Sequence, residues 1–429
     1  MNAVSTTADS GQRIPTRRAE TDFYLFWAGE AVSDLFARVT LIALPLAAIY
    51  ILDATPEQVG GLGSVATLPL LLITPFVGVL VDRVRLRPLL IGINLSRALL
   101  LGSIPLLAWL TDLHLLYFMV VAFLVGVLAA VFNIAYLAYV PTLVDRHRLT
   151  WANGVLSTTT SIADTAGPAI GGLLIALLTA PGAITFDAIG MLLSALAMTA
   201  IRRREPPREP VARRGMRGVL VDIRVGLRKT LGNRVLGTLA GFSAWGNFFD
   251  QVIMANFLLF ATSTLQLKPS VIGVLLAAIG VGSLIGGICA NRIGAKLRLG
   301  TNLVLGRLVA AAGPLVLVVL AGSGPVAIGV MALGFAIYGF GFTHFNVHAV
   351  TLRQLMVAPS IMGRVNASYR VVAHGSLPLG AATAGILGGW LGFRESLAVA
   401  AAALVVAALA FAFTPPSRLA AAPSSPTLR

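Results

Sequence analysis

Apolar stretches of 20 or more residues recur along nearly the whole of this chain, separated only by short polar punctuation. A run of that length is what an α-helix needs to cross about 30 Å of hydrocarbon. In lipid every backbone N–H and C=O must be satisfied within the chain, which only helices and closed barrels achieve, and these runs are too long for barrel strands. Of the 429 residues 57% are hydrophobic and 11% charged, where a soluble protein carries about a quarter charged. The pattern predicts an all-α polytopic membrane protein with twelve transmembrane helices, at 23–52, 57–81, 88–110, 115–141, 153–179, 182–201, 235–262, 270–291, 301–321, 325–356, 366–391 and 395–414.

A net charge of +15 raises the possibility of nucleic-acid binding, but its distribution argues against it. With the N-terminus inside, 27 Lys and Arg fall on the inner side, only Lys268 and Arg394 fall outside, and Arg38, Arg97 and Arg307 lie within or at the edge of spans. This positive-inside asymmetry places both termini in the cytoplasm and makes the bilayer rather than DNA the basic surface's partner; the membrane expected is a bacterial plasma (inner) membrane. The expected organisation is a cytoplasmic tail (1–22), a six-helix bundle (23–201), a cytoplasmic linker (202–234), a second six-helix bundle (235–414) and a cytoplasmic tail (415–429). Residues 1–22 are polar, with Arg13, Arg17 and Arg18 and no apolar signal core, so the first span is expected to be retained. In the linker Met216, Val219, Leu220, Ile223, Leu227 and Leu231 share a helical face flanked by Arg217, Arg224 and Arg228, fit either to lie on the membrane surface or to pack on the ends of other spans. Cys289 is the single cysteine, so disulfides have no role.

The halves echo each other. Gly78, Asp82 and Arg83 recur as Gly287, Asn291 and Arg292 after 209 residues; Pro141 and Arg146 as Pro359 and Arg364 after 218; Gly29, Glu30, Ser33 and Asp34 as Gly246, Asn247, Asp250 and Gln251 after 217. Duplicated six-span units place a substrate site between the halves near the membrane midplane.

The stretch GVLVDRVRLR, with Gly78, Asp82, Arg83 and Arg87, resembles the signature of the major facilitator superfamily between spans 2 and 3, and GPAIGG, with Gly167, Pro168, Gly171 and Gly172, resembles that of its drug:proton antiporters. The opening FYLFWAGEAVSDLFARVTLIALPL and RVNASYRVV before span 11 are similar to a subgroup of macrolide and siderophore exporters. The resemblance implies a monomeric, cofactor-free proton antiporter exporting a small amphipathic compound by alternating access. It also implies a gating role for Gly78, Asp82, Arg83 and Arg87, and gating is expected too of Gly167, Pro168, Gly171 and Gly172. The span-5 glycines suit a close helix crossing, and the proline suits bending.

Charges within spans cost about 2.5–3.5 kcal/mol each on insertion scales, so each needs a reason. Glu30, Asp34 and Arg38, spaced i, i+4, i+8, share one face of span 1 over about 12 Å. Asp34 is placed to pair with Arg38, leaving Glu30 as the less compensated acid. With Asp164 and Asp250 these form the proton-coupling candidates; a static buried ion network is the alternative. Asn247, Gln251, His344 and His348 are candidate cavity residues; with no third ligand near the histidines, no metal site is expected. Asp187 is expected to cap span 6, and Arg97 and Arg307 to snorkel. No Gly-Lys dipeptide occurs, so the usual phosphate loop for ATP is missing and a gradient is the expected energy source. The alternatives are a proton-coupled nutrient importer, and a non-transporting membrane sensor or enzyme; no nucleophile motif supports catalysis.

Overall fold

A computed structural model describes residues 17–81, 84–110, 113–145, 148–203, 205, 216–294 and 296–419. Nearly all of them are helical: α1 (Arg17–Leu52), α2 (Pro56–Val81), α3 (Leu86–Leu110), α4 (Leu115–Leu143), α5 (Leu149–Leu178), α6 (Ala180–Ala200), α7 (Met216–Gly232), α8 (Arg234–Leu259), α9 (Pro269–Gly294), α10 (Leu299–Leu320), α11 (Pro325–Met356), α12 (Pro359–Leu391) and α13 (Phe393–Phe411). Ten of these are long and apolar enough to cross a membrane among the described residues. The other two of the twelve spans expected from sequence correspond to α2, uncharged from Gln58 to Val81, and α8, made less apolar by Asn247, Asp250, Gln251 and Asn256. The linker helix α7 packs on the first half of α12, with Gly226 against Arg364 and Ser368 and with Thr230 buried, while Val221 and Leu231 stay exposed. Packing on other spans is one of the two arrangements the linker sequence allows.

The six-helix halves carry the same packing plan. In the first, α1 packs on α5 and α6, α3 on α4 and α6, and α2 on α4; in the second, α8 packs on α12 and α13, α10 on α11 and α13, and α9 on α11. Equivalent helix ends recur at one constant spacing: Pro56 and Pro269, Leu86 and Leu299, Leu143 and Met356, Leu178 and Leu391, Ala180 and Phe393 are each 213 residues apart. The backbone repeats it in detail. Positive φ occurs at Asp53 (46°) and Gln266 (50°), and at Thr179 (76°) and Gly392 (91°), again 213 apart. The duplication expected from sequence is therefore present, but its register is 213 rather than 209, 217 or 218. What recurs is helix position rather than the polar residues at any one offset.

Thr179, between α5 and α6, occupies a conformation (φ 76°, ψ 166°) that its counterpart Gly392 enters with glycine. Such backbone costs a side-chain-bearing residue about 1–3 kcal/mol. Thr179→Gly is expected to raise stability by about 1 kcal/mol. Gly392→Ala is expected to lower it, since a methyl there also meets the Glu395 carboxylate at 2.7 Å. Thermal unfolding of purified protein in detergent checks both signs.

The halves meet through α2 on α12 and α5 on α9. These two crossings are images of each other. A methyl group on Gly60 would stand 2.8 Å from Gly385 Cα, and one on Gly172 would stand 2.8 Å from Gly273 Cα; Gly60 is repeated at Gly273 and Gly172 at Gly385. Only hydrogen fits, so the backbones touch, as small residues permit between membrane helices. Both crossings lie towards the end where the helices are joined by short turns. There one continuous apolar core, from Val39, Leu62 and Ile175 to Ile272, Leu275 and Ala384, unites the halves. At the end bearing the termini and the linker each half has its own core, around Phe26 and Tyr139 in one and around Leu239 and Phe345 in the other. The molecule is closed at the short-turn end and parted at the termini end.

Candidate functional site

Within the first half, the i, i+4 spacing on α1 brings Arg38 Nη2 to 3.3 Å from Asp34 Oδ1, and Arg38 Nε lies 3.0 Å from Asp164 Oδ1 on α5. The Asp164 contact is off the N–H axis, a charge contact rather than an aligned hydrogen bond. None of the three is sealed: the side chains of Asp34 and Arg38 are about one-third exposed and that of Asp164 one-half. On α5 the exposed Ile162, Leu173 and Leu177 mark the outer, lipid-type face. At about 100° per residue, Asn153, Ser157, Ser161 and Asp164 lie on the opposite face, towards the parting between the halves.

GPAIGG is what holds α5 there. Gly167 and Gly171, one turn apart, press on Arg38 and Val39 of α1, while Pro168 and Gly172, also one turn apart, press on Gly273 of α9. Each pair shares a face because i and i+4 are neighbours on a helix. Pro168 lacks the N–H that the Asp164 carbonyl would accept, which weakens the α5 ladder at the level of the ion cluster. One six-residue stretch thus joins a three-charge cluster to the contact between the halves.

Glu30 is more deeply buried than the Arg38 cluster. It is 9% exposed and accepts a hydrogen bond from Ser194 Oγ of α6, which in turn accepts from Asn94 Nδ2 of α3 at 2.9 Å. Its hydrogen-bond partners lie inside the first half and are remote in sequence. Arg97 does not snorkel; it turns into the same half, towards Asp187, Glu30 and Asp34, with its guanidinium 5.9 Å from the Phe132 ring. Asp187 is not a cap: it lies seven residues inside α6, 1% exposed and facing Arg97.

In the second half Asp250, Arg307 and Tyr338 line a small cavity among Phe242, Trp245 and Phe342. Arg307 also stays inside. It donates to the Phe242 carbonyl at 3.0 Å, lies 3.9 Å above the Phe345 ring and rests on Gly246, where a Cβ would meet its Nη1 at 2.5 Å. Asn247 donates to the Ala373 carbonyl at 2.6 Å, tying α8 to α12, and Gln251 is half-buried. His344 and His348 are buried within this half and do not form a wall of the parting. His344 Nε2 meets Asn302 Oδ1 at 3.2 Å, and His348 Nδ1–H donates to the His344 carbonyl at 2.8 Å. Because α11 packs between α9 and α10, its polar face points into the bundle.

Of the residues expected to gate, Gly78 lies in the last turn of α2, and Asp82 and Arg83 lie outside the described residues. Arg87 donates to the Met198 and Thr199 carbonyls at 2.8 and 2.6 Å, binding α3 to the carbonyl end of α6. Glu205 accepts from the Leu86 and Arg87 amides, and Asp22 accepts from the Arg202 and Arg203 amides. Nothing in local spacing singles out Glu205 or Asp22, which find their partners only through tertiary packing.

Residues 26–377 match the Major Facilitator Superfamily. The chain belongs to that superfamily. It is a multi-pass membrane protein. It is 28% identical over 182 residues to macrolide efflux protein A of Streptococcus pyogenes, covering 42% of this chain and 44% of the relative. It is 26% identical over 269 residues to the enterobactin exporter EntS of Escherichia coli, covering 61% and 60%. The matched stretches thus span less than two-thirds of either relative. A bacterial homologue of the iron transporter ferroportin, solved in an inward-facing state, shares the fold with a TM-score of 0.72 over 91% of this chain and 97% of its own, at 14% identity.

Proposed function

We propose that this transporter is an exporter, driven by proton antiport, of a small amphipathic compound of the drug, macrolide or siderophore kind. The observation that carries the reading is the continuity of the Asp34–Arg38–Asp164 cluster with GPAIGG. Arg38 is held by two acids while its stem lies against Gly167, and Gly172, on the next turn of that helix, sits in the crossing with α9. A proton arriving on Asp164 neutralises one of the two carboxylates that hold Arg38, freeing that side chain to move. Movement at Gly167 is transmitted along α5 to the closed end. The relatives that are efflux proteins support the outward direction.

In this reading the termini, the linker and the parted end face the cytoplasm of a bacterial cell, with the short turns outside. The 27-to-2 distribution of basic residues supports it. The protein works as a monomer, each half supplying one wall of the cleft. A cysteine at Ser425, after replacement of Cys289, is expected to resist an impermeant thiol reagent in intact cells and to react in everted vesicles. Labelling in intact cells reverses the topology.

The exporter reading is tested in everted vesicles of cells making the protein. On energisation they are expected to accumulate an amphipathic dye, and a protonophore is expected to release it. Accumulation only when the gradient is reversed identifies an importer instead.

A further inference from the structure

The α12 wall of the cleft carries basic groups that the account above leaves without a role. The contacts of α12 settle its orientation. Tyr369, Ala373, Gly380 and Ala384 meet α8, while Gly375, Pro378, Ala381 and Gly385 meet α2. The exposed Leu379, Ile386 and Trp390 mark the outer face. At about 100° per residue, Arg370 and His374 fall opposite that outer face, in the sector between α8 and α2. Nearer the short-turn end the same sector is filled by Ala381 packed on Gly60. At the level of Arg370 the halves have parted, and Arg370 is exposed although it points inward. Arg353 of α11 stacks on the neighbouring Tyr369 ring at 3.9 Å, and His374 lies in the electrostatic range of both arginines. Among the residues whose side chains are described, none forms an ion pair with Arg353, Arg370 or His374.

Across the parting, α5 presents Ser157, Ser161 and Asp164, and Asp164 is already engaged with Arg38. The two walls therefore differ in kind: hydroxyls and an acid already paired with Arg38 on one side, two arginines and an imidazole on the other. A residue that served only to mark the cytoplasmic end would point to lipid headgroups, as Arg and Lys at helix ends do. Arg370 faces away from them, where a guanidinium offers paired donors to a planar anion.

We propose that Arg370 and His374, backed by Arg353, are an anion-recognition site in the cleft, and that the cargo is a water-soluble amphipathic compound bearing a carboxylate, sulfonate or phosphate. The assignment rests on the exporter reading only for the direction in which that cargo moves. Binding and movement can fail separately, so they are measured separately.

Purified full-length protein is titrated with cholate, with taurocholate, with tetraphenylphosphonium as a bulky cation, and with phosphatidylglycerol as the bilayer source of the same anionic chemistry. Thermal unfolding midpoints report binding and also show that each variant is folded. Wild type is expected to bind cholate or taurocholate. Arg370→Gln is expected to weaken that binding at least tenfold, Arg370→Lys less than threefold, and neither to weaken binding of tetraphenylphosphonium. His374→Gln, a second variant on the same face, is expected to lower anion affinity several-fold. Equal anion binding by wild type and Arg370→Gln overturns the site, as does binding of the cation alone or of no amphiphile. Arg370-dependent binding confined to phosphatidylglycerol makes it a lipid site and overturns the cargo assignment. Uptake of a bound anion into right-side-out rather than everted vesicles refutes the exporter reading and leaves the site standing.

Discussion

Asp164→Asn is expected to abolish uphill export while leaving the protein folded and nearly as stable as before. The asparagine keeps the shape of the side chain and removes its charge, so Arg38 retains Asp34 at 3.3 Å and loses the contact at 3.0 Å with α5. With half of the Asp164 side chain exposed, the lost ion pair is worth at most about 1 kcal/mol of stability. The effect on transport is far larger, because a group that cannot gain and lose a proton cannot link proton movement to α5. Gradient-driven accumulation in everted vesicles is expected to fall at least tenfold, with dye binding to the purified variant unchanged. Normal uphill accumulation by the variant would remove Asp164 from the coupling step. Glu30→Gln is the informative comparison, since Glu30 is engaged by Ser194 inside the first half and its loss is expected to act on stability.

The second large effect is expected at the crossing of the halves. Gly172→Leu drives a side chain into the backbone of α9, where even a methyl group would stand 2.8 Å from Gly273 Cα. Overpacking of a tight contact costs about 1–3 kcal/mol. Paid only in the closed arrangement of the short-turn end, that cost shifts the balance between the two arrangements by roughly 5- to 150-fold, at about tenfold per 1.4 kcal/mol. Each half stays intact, so the protein is expected to be made in normal amounts but trapped open at that end. Cysteines near the short turns then become reactive from outside and transport falls at least tenfold. Gly385→Leu is expected to do the same through the symmetry-related crossing. Loss of folded protein in both variants, with no change in accessibility, would show the crossings to be static.

How legible this architecture was from sequence differs by level. The spans and the division at the linker followed from unbroken apolar length and from the impossibility of leaving backbone groups unpaired in lipid. The pairing of Asp34 with Arg38 followed from helical spacing alone, and the glycines of GPAIGG declared a close approach. Nothing local, however, says that two of those glycines face α1 while Pro168 and Gly172 face α9. Glu30 looked unpartnered because Ser194 and Asn94 are 164 and 64 positions away in sequence. Arg97 and Arg307 were assigned to the membrane edge by side-chain length, whereas buried acids and aromatic rings hold them inside. The histidines looked like cavity residues because they are polar and apolar neighbours surround them; which way α11 turns is decided by its packing on both α9 and α10. Arg370 and His374 carry no local sign of a role, because basic residues are common near the ends of membrane helices, and only the contacts of α12 show which face they occupy.

The central claim is that the two halves alternate between closure at one end and closure at the other, under control of the Arg38 cluster. Spin labels at Gln58 and Leu391 report the short-turn end and labels at Arg85 and Arg292 the termini end, all four positions being exposed and Cys289 having been replaced. Distances are measured by pulsed electron paramagnetic resonance in reconstituted protein at pH 8 and pH 5. The ionised Asp164 holds Arg38 in the arrangement described here, so at pH 8 the short-turn pair is expected to be close and the termini pair apart. At pH 5 a population with the reverse distances should grow, and it should cease to depend on pH in Asp164→Asn. Two distances that stay fixed, or that lengthen and shorten together, would contradict the account.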